Sequence, residues 1–319
     1  MWPYANIMSV LLLIVGLALI VLGANWLVDG ASGIARKAGV SEFVIGLTIV
    51  GFGTSCPELV VSLTGAISGN SDIAVGNVIG SNIFNTLFIL GLTALLYPVS
   101  VTNVNRKRDI PLTLIVTLLL LLFGMSSSEL SRLDGLLFVV LFAFYVYIAF
   151  RPSANGDSAV NEEEPVRKRP LFITLIMALA GLVGLIFGGE LFVNSATSLA
   201  RELGVSDKFI AITILAGGTS LPELATSIVA AVKGRGQLAL GNILGSNVFN
   251  ILLILGVSAL VTPLSFTSVT IVDAMVLAVS AILPLVWSYS GRKFKIDRIE
   301  GAVMIVILVV YYIYLFDKL

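Results

Sequence analysis

Long apolar stretches, separated by short polar connections, run through almost the whole chain. They fall near residues 7–28, 40–67, 76–97, 110–125, 133–150, 171–193, 205–232, 238–261, 269–288 and 298–316. A helix needs about 20 apolar residues to span the hydrocarbon core of a bilayer. The stretches are too long and too continuous for the alternating strands, of about ten residues each, of a membrane barrel. The pattern therefore predicts an all-α polytopic membrane protein with ten transmembrane helices.

The composition of the chain agrees with a membrane protein. Hydrophobic residues make up 57% and charged residues 12%, and 19 basic residues balance 19 acidic ones. So few charges do not cover a soluble fold, and zero net charge gives no reason to expect nucleic acid as a partner. Histidine is missing and Cys56 is the one cysteine, so a catalytic triad, a histidine-ligated zinc and an internal disulfide are excluded. We expect a protein that is not an enzyme and needs no cofactor.

The basic residues concentrate on alternate connections between the predicted helices. With ten helices, fifteen of the 19 Lys and Arg lie on one side of the membrane, and the other side carries only Arg132, Arg201, Lys208 and Lys318. The side richer in Lys and Arg faces the cytoplasm in most membrane proteins. The distribution predicts a multi-pass protein of the cell membrane with both termini extracellular.

Two sequence motifs occur twice, each time 165 residues apart. GTSCPEL at 53–59 recurs as GTSLPEL at 218–224, and GNVIGSNIFN at 76–85 recurs as GNILGSNVFN at 241–250. A constant offset without gaps indicates a duplicated chain. Each half holds five helices, an odd number, so the second half crosses the membrane in the opposite direction. We predict a first inverted repeat at 1–150, a cytoplasmic linker at 151–170 and a second inverted repeat at 171–319, as in many secondary transporters.

Two glutamates lie deep inside the predicted helices. Glu58 and Glu223 occupy equivalent positions in the repeated GTSxPE motif, and no Lys or Arg inside a predicted helix is available to neutralise them. An ionised carboxylate at this depth costs at least about 2.5 kcal/mol, so the pair indicates a site for a cation or a proton. Pro57 and Pro222 directly precede the glutamates. Proline opens a helix and frees backbone carbonyls, which is tolerated at membrane depth where the backbone lines a site.

Further oxygen-bearing side chains accompany the glutamates in both motifs. A spacing of four residues puts a threonine on the same helix face as each glutamate, and a serine on the same face as an asparagine. An all-oxygen set with two carboxylates suits Ca²⁺, which takes about six to eight oxygen ligands, and is a poor site for zinc or copper. These candidate ligands are Thr54, Glu58, Ser81 and Asn85 in the first half and Thr219, Glu223, Ser246 and Asn250 in the second.

Other polar residues in the helices have less specific roles. We expect Asn82 and Asn247 to pack helices together or to cap backbone groups rather than to bind ions. Asp29 and Glu190 are compatible both with lining an access path and with reaching the membrane interface. Asp273, near the start of the ninth helix, is expected at the interface.

The four motifs resemble the α-repeats of the cation/calcium antiporter superfamily, and the chain is most similar to a prokaryotic sodium/calcium exchanger. The resemblance covers nearly the whole chain. It implies that helices 2, 3, 7 and 8 form the ion-binding core and that long helices 1 and 6 slide across it. It adds Ser55, Ser220 and the backbone carbonyls of Gly51 and Ala216 to the candidate ligands. Some prokaryotic exchangers carry Asp where this chain has Asn250, so the exchange stoichiometry stays open.

The predicted function is antiport of Na⁺ against Ca²⁺ by alternating access, with sodium influx driving calcium extrusion. Enclosing two ionised carboxylates without a bound cation is costly, and enclosing a neutralised pair costs less. The protein is therefore expected to change between its two access conformations mainly when ions are bound. Calcium/proton exchange is the alternative, because protons also neutralise carboxylates. A cation channel is less favoured, since it needs a continuous pore. The expected partners are the two ions and the lipid bilayer, and the expected state is a monomer.

Overall fold

Apolar helices account for most of the protein in the computed structural model, which describes residues 2–150, 169–205, 216–290 and 294–318. Within these ranges eight helices are long and apolar enough to cross a membrane, and the bent pair Glu42–Thr54 and Cys56–Ile67 makes a ninth. The remaining predicted helix, 205–232, is described only from Ala216 onward. The prediction of an all-α multi-pass protein is confirmed. Residues 151–168 of the predicted linker lie outside the described residues.

We number the spans 1 to 10 in chain order. Those of the first half are span 1, Trp2–Ala38; span 2, Glu42–Ile45, Gly46–Val50, Gly51–Thr54 and Cys56–Ile67; span 3, Ser71–Phe84, Asn85–Leu90 and Gly91–Leu96; span 4, Asn105–Asp109 and Ile110–Ser127; and span 5, Arg132–Ala149. Those of the second half are span 6, Leu171–Glu202; span 7, Ala216–Gly218 and Leu221–Val232; span 8, Gly236–Val248, Phe249–Leu255 and Gly256–Val261; span 9, Ile271–Tyr289; and span 10, Arg298–Lys318.

The sequence repeat recurs in the backbone at the ends of spans. Gly39 and Gly204 follow spans 1 and 6 with φ of 67° and 80°, and Gly69 and Gly234 follow spans 2 and 7 with φ of 75° and 71°. Glycine adopts this left-handed conformation without a steric penalty and commonly ends helices. Equivalent spans of the two halves therefore end in the same way, at the same 165-residue offset that the motifs show.

Two short antiparallel ladders join connections of the first half to connections of the second. Strand β1, Val99–Ser100, pairs with β4, Lys295–Ile296, and β2, Glu129–Leu130, pairs with β3, Leu264–Ser265. The first ladder ties the connection between spans 3 and 4 to that between spans 9 and 10. The second ties the connection between spans 4 and 5 to that between spans 8 and 9. Connections joined in this way share one side of the membrane, as the inverted ten-span arrangement requires.

Spans 1 and 6 run antiparallel in close contact, and both are longer than their apolar stretches. Span 1 continues to Ala38 and span 6 to Glu202, ten and nine residues beyond the predicted ends. Glycines let the two backbones touch: a Cβ on Gly23 would lie 2.7 Å from the carbonyl oxygen of Gly181. Small residues at a membrane helix interface permit this approach. The two long helices therefore pack as a pair.

The main hydrophobic core surrounds spans 3 and 8, which are the most buried of the described spans. Every residue from Leu238 to Val248 in span 8 is buried. Glycine again allows close contact, since a Cβ on Gly245 would lie 2.6 Å from the Cα of Leu47 in span 2. The outer spans instead expose large apolar side chains, as a lipid-facing surface requires. The two GNxxGSNxFN motifs thus lie at the centre of the protein.

Candidate cation-binding site

Span 2 breaks at Ser55, immediately before the first buried glutamate. The helical segments on either side meet at 49°. Ser55 has φ −84° and ψ 9°, and Ser220, at the equivalent point of span 7, has φ −87° and ψ 7°. Because proline lacks an N–H, the helix opens here in both halves. Glu58 and Glu223 therefore lie in the first turn of the segment that follows each break.

Each of the two glutamates is held by a serine of the opposite half. Ser55 Oγ donates to Glu223 Oε1 at 2.8 Å, and Ser220 Oγ donates to Glu58 Oε1 at 3.2 Å. All four residues are 0% exposed. The other carboxylate oxygen of each glutamate, Oε2, is buried without a hydrogen-bond partner among the described residues. The two halves thus bring their carboxylates to a common centre with one oxygen of each available for a ligand.

Candidates from spans 2 and 8 join the same centre. Ser246 Oγ lies 3.4 Å from the carbonyl oxygen of Gly51 and 3.4 Å from Glu223 Oε1. Thr54 Oγ1 lies 3.2 Å from Asn242 Oδ1. Gly51 and Thr54 of the first half therefore lie against Ser246 and Asn242 of the second. The Gly51 carbonyl oxygen also accepts the backbone N–H of Ser55 at 3.1 Å.

The amide oxygens of Asn85 and Asn250 are also available. Asn85 Nδ2 donates to Asn247 Oδ1 at 3.2 Å, and Asn250 Nδ2 donates to Asn82 Oδ1 at 3.0 Å. The Oδ1 atoms of Asn85 and Asn250 are buried and have no hydrogen-bond partner in the described part of the chain. Both residues lie in π-helical segments, which often occur at functional sites. The motifs contained no sign of these π segments.

Three further candidates lie on or beside spans 3 and 7. Ser81 is buried in span 3, one turn before Asn85. The hydroxyl of Thr219 is buried and lacks a hydrogen-bond partner among the residues described. Ala216 begins the short helical piece that precedes Thr219, but its side chain is outside the described residues. Their positions along spans 3 and 7 are compatible with the predicted ligand set.

Two further asparagines, which are not among the predicted ligands, donate hydrogen bonds to the backbone of the glutamates. Asn77 Nδ2 donates to the carbonyl oxygen of Glu58 at 3.2 Å, and Asn242 Nδ2 donates to that of Glu223 at 3.3 Å. Each also donates to a serine hydroxyl one turn further along span 2 or 7, at 2.9 and 3.0 Å. Asn77 and Asn242 could have been recognised from the sequence, because each is the first Asn of a repeated GNxxGSN motif.

Charged residues near the ends of spans form ion pairs. Lys233 Nζ lies 2.7 Å from Asp29 Oδ1, and Arg235 Nη1 lies 2.5 Å from Glu42 Oε1. Asp29, predicted either to line an access path or to lie at the interface, thus pairs with a lysine at the end of span 7. The ion pairs found in the described part of the protein do not include the two buried glutamates of the site.

The other acids that the sequence singled out lie at span ends or on the surface. Asp273 forms a capping box with Thr270 at the start of span 9 and accepts a hydrogen bond from Tyr311 at 2.6 Å. Glu190 is exposed on span 6. Asp273 therefore caps the start of span 9, and its position at the membrane interface stays a prediction.

The oxygen atoms of the site that could bind a metal suit a hard cation. They are carboxylate, amide, hydroxyl and backbone carbonyl oxygens, the ligand types of Ca²⁺. No group of three or more Asp, Glu, His or Cys residues suited to a metal occurs among the described residues. The two carboxylates must therefore be supplemented by neutral oxygens, and the buried oxygens without partners are the atoms available for this.

Comparison with known proteins agrees with this site. The family described as "Sodium/calcium exchanger protein" matches residues 8–151 and again residues 173–316. The chain belongs to this family. The two matches start and end 165 residues apart, so each half of this exchanger-family chain corresponds to one copy of the family's unit. The resemblance inferred from the motifs is confirmed.

Individual family members resemble the chain over nearly its full length. It is 38% identical over 325 residues to the putative antiporter CaxA of Alkalimonas amylolytica, covering 98% of this chain and 100% of that protein. It is 36% identical over 348 residues to the sodium/calcium exchanger MaX1 of Methanosarcina acetivorans, covering 96% and 98%.

Solved structures of the sodium-calcium exchanger NCX_Mj share the fold. Soaked with 2.5 mM Na⁺ and 0.1 mM Ca²⁺, NCX_Mj matches with a TM-score of 0.82 at 34% identity, over 95% of this chain and 97% of that chain. Soaked with zero Na⁺ and Ca²⁺, it matches with a TM-score of 0.84 at 32% identity, over 97% and 99%. The ten-span inverted-repeat fold is consistent with these likenesses.

Proposed function

We propose that this protein exchanges Na⁺ for Ca²⁺ across the cell membrane, with Glu58 and Glu223 as the charged centre of the transport site. The observation that carries the proposal is the crossed arrangement of these glutamates, each fully buried and each bonded to a serine of the opposite half. Membership of the sodium/calcium exchanger family supports the identity of the ions.

The charge of the site suits exchange rather than leakage. Two buried carboxylates repel each other and lack the solvation that water would supply, so an empty site is costly to close. One Ca²⁺ or two Na⁺ neutralise the pair. The protein then changes conformation readily only when it carries an ion load, and transport of one ion is linked to return of the other. Sodium entering down its gradient drives calcium out.

Neutral oxygens complete the proposed coordination. The amides of Asn85 and Asn250 add no charge, so a third Na⁺ would leave the site positive, and the ratio of ion fluxes reports whether it binds. The proposed ligands are the side chains of Thr54, Ser55, Glu58, Ser81, Asn85, Thr219, Ser220, Glu223, Ser246 and Asn250 and the carbonyl oxygens of Gly51 and Ala216.

The inverted halves provide a route to alternating access. The site lies between two similar units of opposite orientation, so an exchange of their conformations opens it to the other side. The packed pair of spans 1 and 6 is the element that we propose to slide across the core. Both termini are extracellular in this proposal, and one chain supplies the whole site, so a monomer suffices.

Reconstitution tests the function directly. Vesicles that contain the purified protein are loaded with Na⁺ and diluted into sodium-free buffer with labelled Ca²⁺. We expect Ca²⁺ uptake that depends on the sodium gradient and that is lost in Glu58→Gln and Glu223→Gln. The matched control is Glu129→Gln, which neutralises an exposed carboxylate on β2 and leaves uptake unchanged.

Four results would contradict the proposal. Uptake that is independent of the sodium gradient, or undiminished in Glu58→Gln, removes the sodium-coupled mechanism. Uptake driven by a pH gradient without sodium indicates proton exchange. Single-channel currents in planar bilayers indicate a pore.

A further inference from the structure

Four asparagines form two hydrogen bonds that cross between the halves. Asn250 of span 8 is bonded to Asn82 of span 3, and Asn85 of span 3 is bonded to Asn247 of span 8. All four are at most 4% exposed. Each bond joins a proposed ligand of one half to the asparagine three residues before the ligand of the other half.

A backbone group determines which way the amide of Asn82 points. Asn82 Nδ2 donates to the carbonyl oxygen of Asn247 at 3.1 Å. A carbonyl oxygen can only accept, so the nitrogen of Asn82 must face it. The other end, Asn82 Oδ1, then faces Asn250 and can only accept in turn. Asn250 must therefore turn Nδ2 toward Asn82, which leaves its own Oδ1 for another partner.

In the second crossed bond, between Asn85 and Asn247, the orientation of the Asn247 amide is determined by a hydroxyl group. Asn247 Nδ2 donates to Thr86 Oγ1 at 2.8 Å, and Asn247 Oδ1 accepts from Asn85. The repeat places Ile251 at the position of Thr86, so this hydroxyl belongs to one half only. A hydroxyl can donate or accept, and the orientation of Asn85 is therefore held less firmly than that of Asn250.

We propose that Asn82 and Asn247 are positioning residues of the transport site. The Oδ1 of each positioning residue accepts a hydrogen bond from the Nδ2 of the ligand asparagine in the opposite half. The Oδ1 of that ligand is then left to face the cations. The inference rests on the proposed function, because an oxygen is needed there only if Asn85 and Asn250 bind ions. An amide turned the other way would present N–H groups, which a cation does not bind.

The first test removes the crossed bond to Asn250. Apparent Ca²⁺ affinity is measured by the Ca²⁺-dependent thermal stabilisation of purified protein and by sodium-driven uptake. We expect Asn82→Leu to weaken Ca²⁺ binding roughly 10- to 100-fold, the usual effect of losing a residue that orients a metal ligand. If Asn82→Leu does not give folded protein, Asn82→Ser is used, because its side chain is too short to reach Asn250.

A double-mutant cycle separates positioning from general damage. If Asn82 acts through Asn250, the double variant Asn82→Leu/Asn250→Ala binds Ca²⁺ no more weakly than Asn250→Ala alone. Combined with Asn85→Ala, the same Asn82→Leu change should instead multiply the two single losses. A destabilised core would lower affinity equally on both backgrounds, and that result overturns the inference.

The hydrogen bond from Asn247 to the Thr86 hydroxyl can be tested with a matched pair of isosteric variants. Thr86→Val removes the acceptor of Asn247 and is expected to weaken Ca²⁺ binding several-fold. Thr93→Val, in the same span, removes a fully buried hydroxyl that lacks a hydrogen-bond partner among the described residues, and should leave affinity unchanged. Equal affinities in Thr86→Val and wild type would remove the role of Asn247.

The wild-type protein distinguishes the two levels of the proposal. If the wild type shows neither Ca²⁺-dependent stabilisation nor sodium-driven uptake, the proposed function itself is contradicted. If the wild type binds and exchanges the ions and the folded Asn82 variants bind Ca²⁺ with wild-type affinity, only the positioning role is contradicted.

Discussion

Ser55 of the first half donates a hydrogen bond to Glu223 of the second at 2.8 Å, and the repeat-related pair, Ser220 and Glu58, is joined at 3.2 Å. Hydrogen bonds to an ionised carboxylate are about twice as strong as neutral ones. Each carboxylate therefore depends on a hydroxyl that the other half supplies, and neither half alone builds a site.

Removal of the Ser55 hydroxyl should weaken Ca²⁺ binding. A hydrogen bond to a charged group contributes about 1.5–3 kcal/mol, which corresponds to roughly a 10- to 100-fold loss of apparent affinity in Ser55→Ala. The measurement is the Ca²⁺ dependence of sodium-driven uptake. Ser280→Ala is the control, since Ser280 is buried but donates only within span 9, to the carbonyl of Leu277. Equal affinities in the two variants would contradict a role for the crossed bond.

The contact between spans 1 and 6 should tolerate a methyl group at one glycine and not at another. A Cβ on Gly23 would lie 2.7 Å from a backbone oxygen, whereas a Cβ on Gly184, across the same contact, has nothing nearer than 3.5 Å. We expect Gly23→Ala to destabilise the protein by about 1–3 kcal/mol and Gly184→Ala to have little effect. Thermal unfolding in detergent compares the two variants, and identical midpoints would contradict a close backbone contact at Gly23.

The two interhelical ion pairs should differ in their contribution to stability. The side chains of Lys233 and Asp29 are 28% and 41% exposed, against 16% and 15% for Arg235 and Glu42. Exposed pairs contribute roughly 0–1 kcal/mol, so Asp29→Asn should have a small effect that shrinks in high salt. Glu42→Gln should cost more, because it leaves a largely buried Arg235 unpaired. A larger loss in Asp29→Asn, measured by thermal unfolding, would reverse this order.

The proposed orientation can be tested with single cysteines. On a Cys56→Ala background, Glu129→Cys and Lys107→Cys place exposed thiols on opposite sides of the membrane in the ten-span arrangement. The excess of Lys and Arg puts the Lys107 side in the cytoplasm. A membrane-impermeant maleimide should label Glu129→Cys in intact cells and Lys107→Cys only after permeabilisation. The opposite labelling pattern would place both termini inside.

Several features could be predicted from the sequence because they are properties of the chain itself. Apolar length predicted the spans, and the constant offset of the motifs predicted two related halves. The odd number of spans in each half predicted that the halves cross the membrane in opposite directions. Burial of Glu58 and Glu223 followed from their position within apolar stretches. The ends of spans 1 and 6 were placed too early, because these helices continue through polar residues such as Asp29, which pairs with Lys233.

The tertiary structure alone decided which residue of one half meets which residue of the other. Ser55 bonds to Glu223 across 168 positions of the chain, and Asn82 bonds to Asn250 across the same separation. Local spacing carries no information on such contacts, since they depend on how spans 2, 3, 7 and 8 pack. The sequence by itself determined the membrane fold, the repeat and the candidate oxygens. The packing of the halves decided which oxygens are hydrogen-bonded to protein groups and which are buried without a hydrogen-bond partner among the described residues.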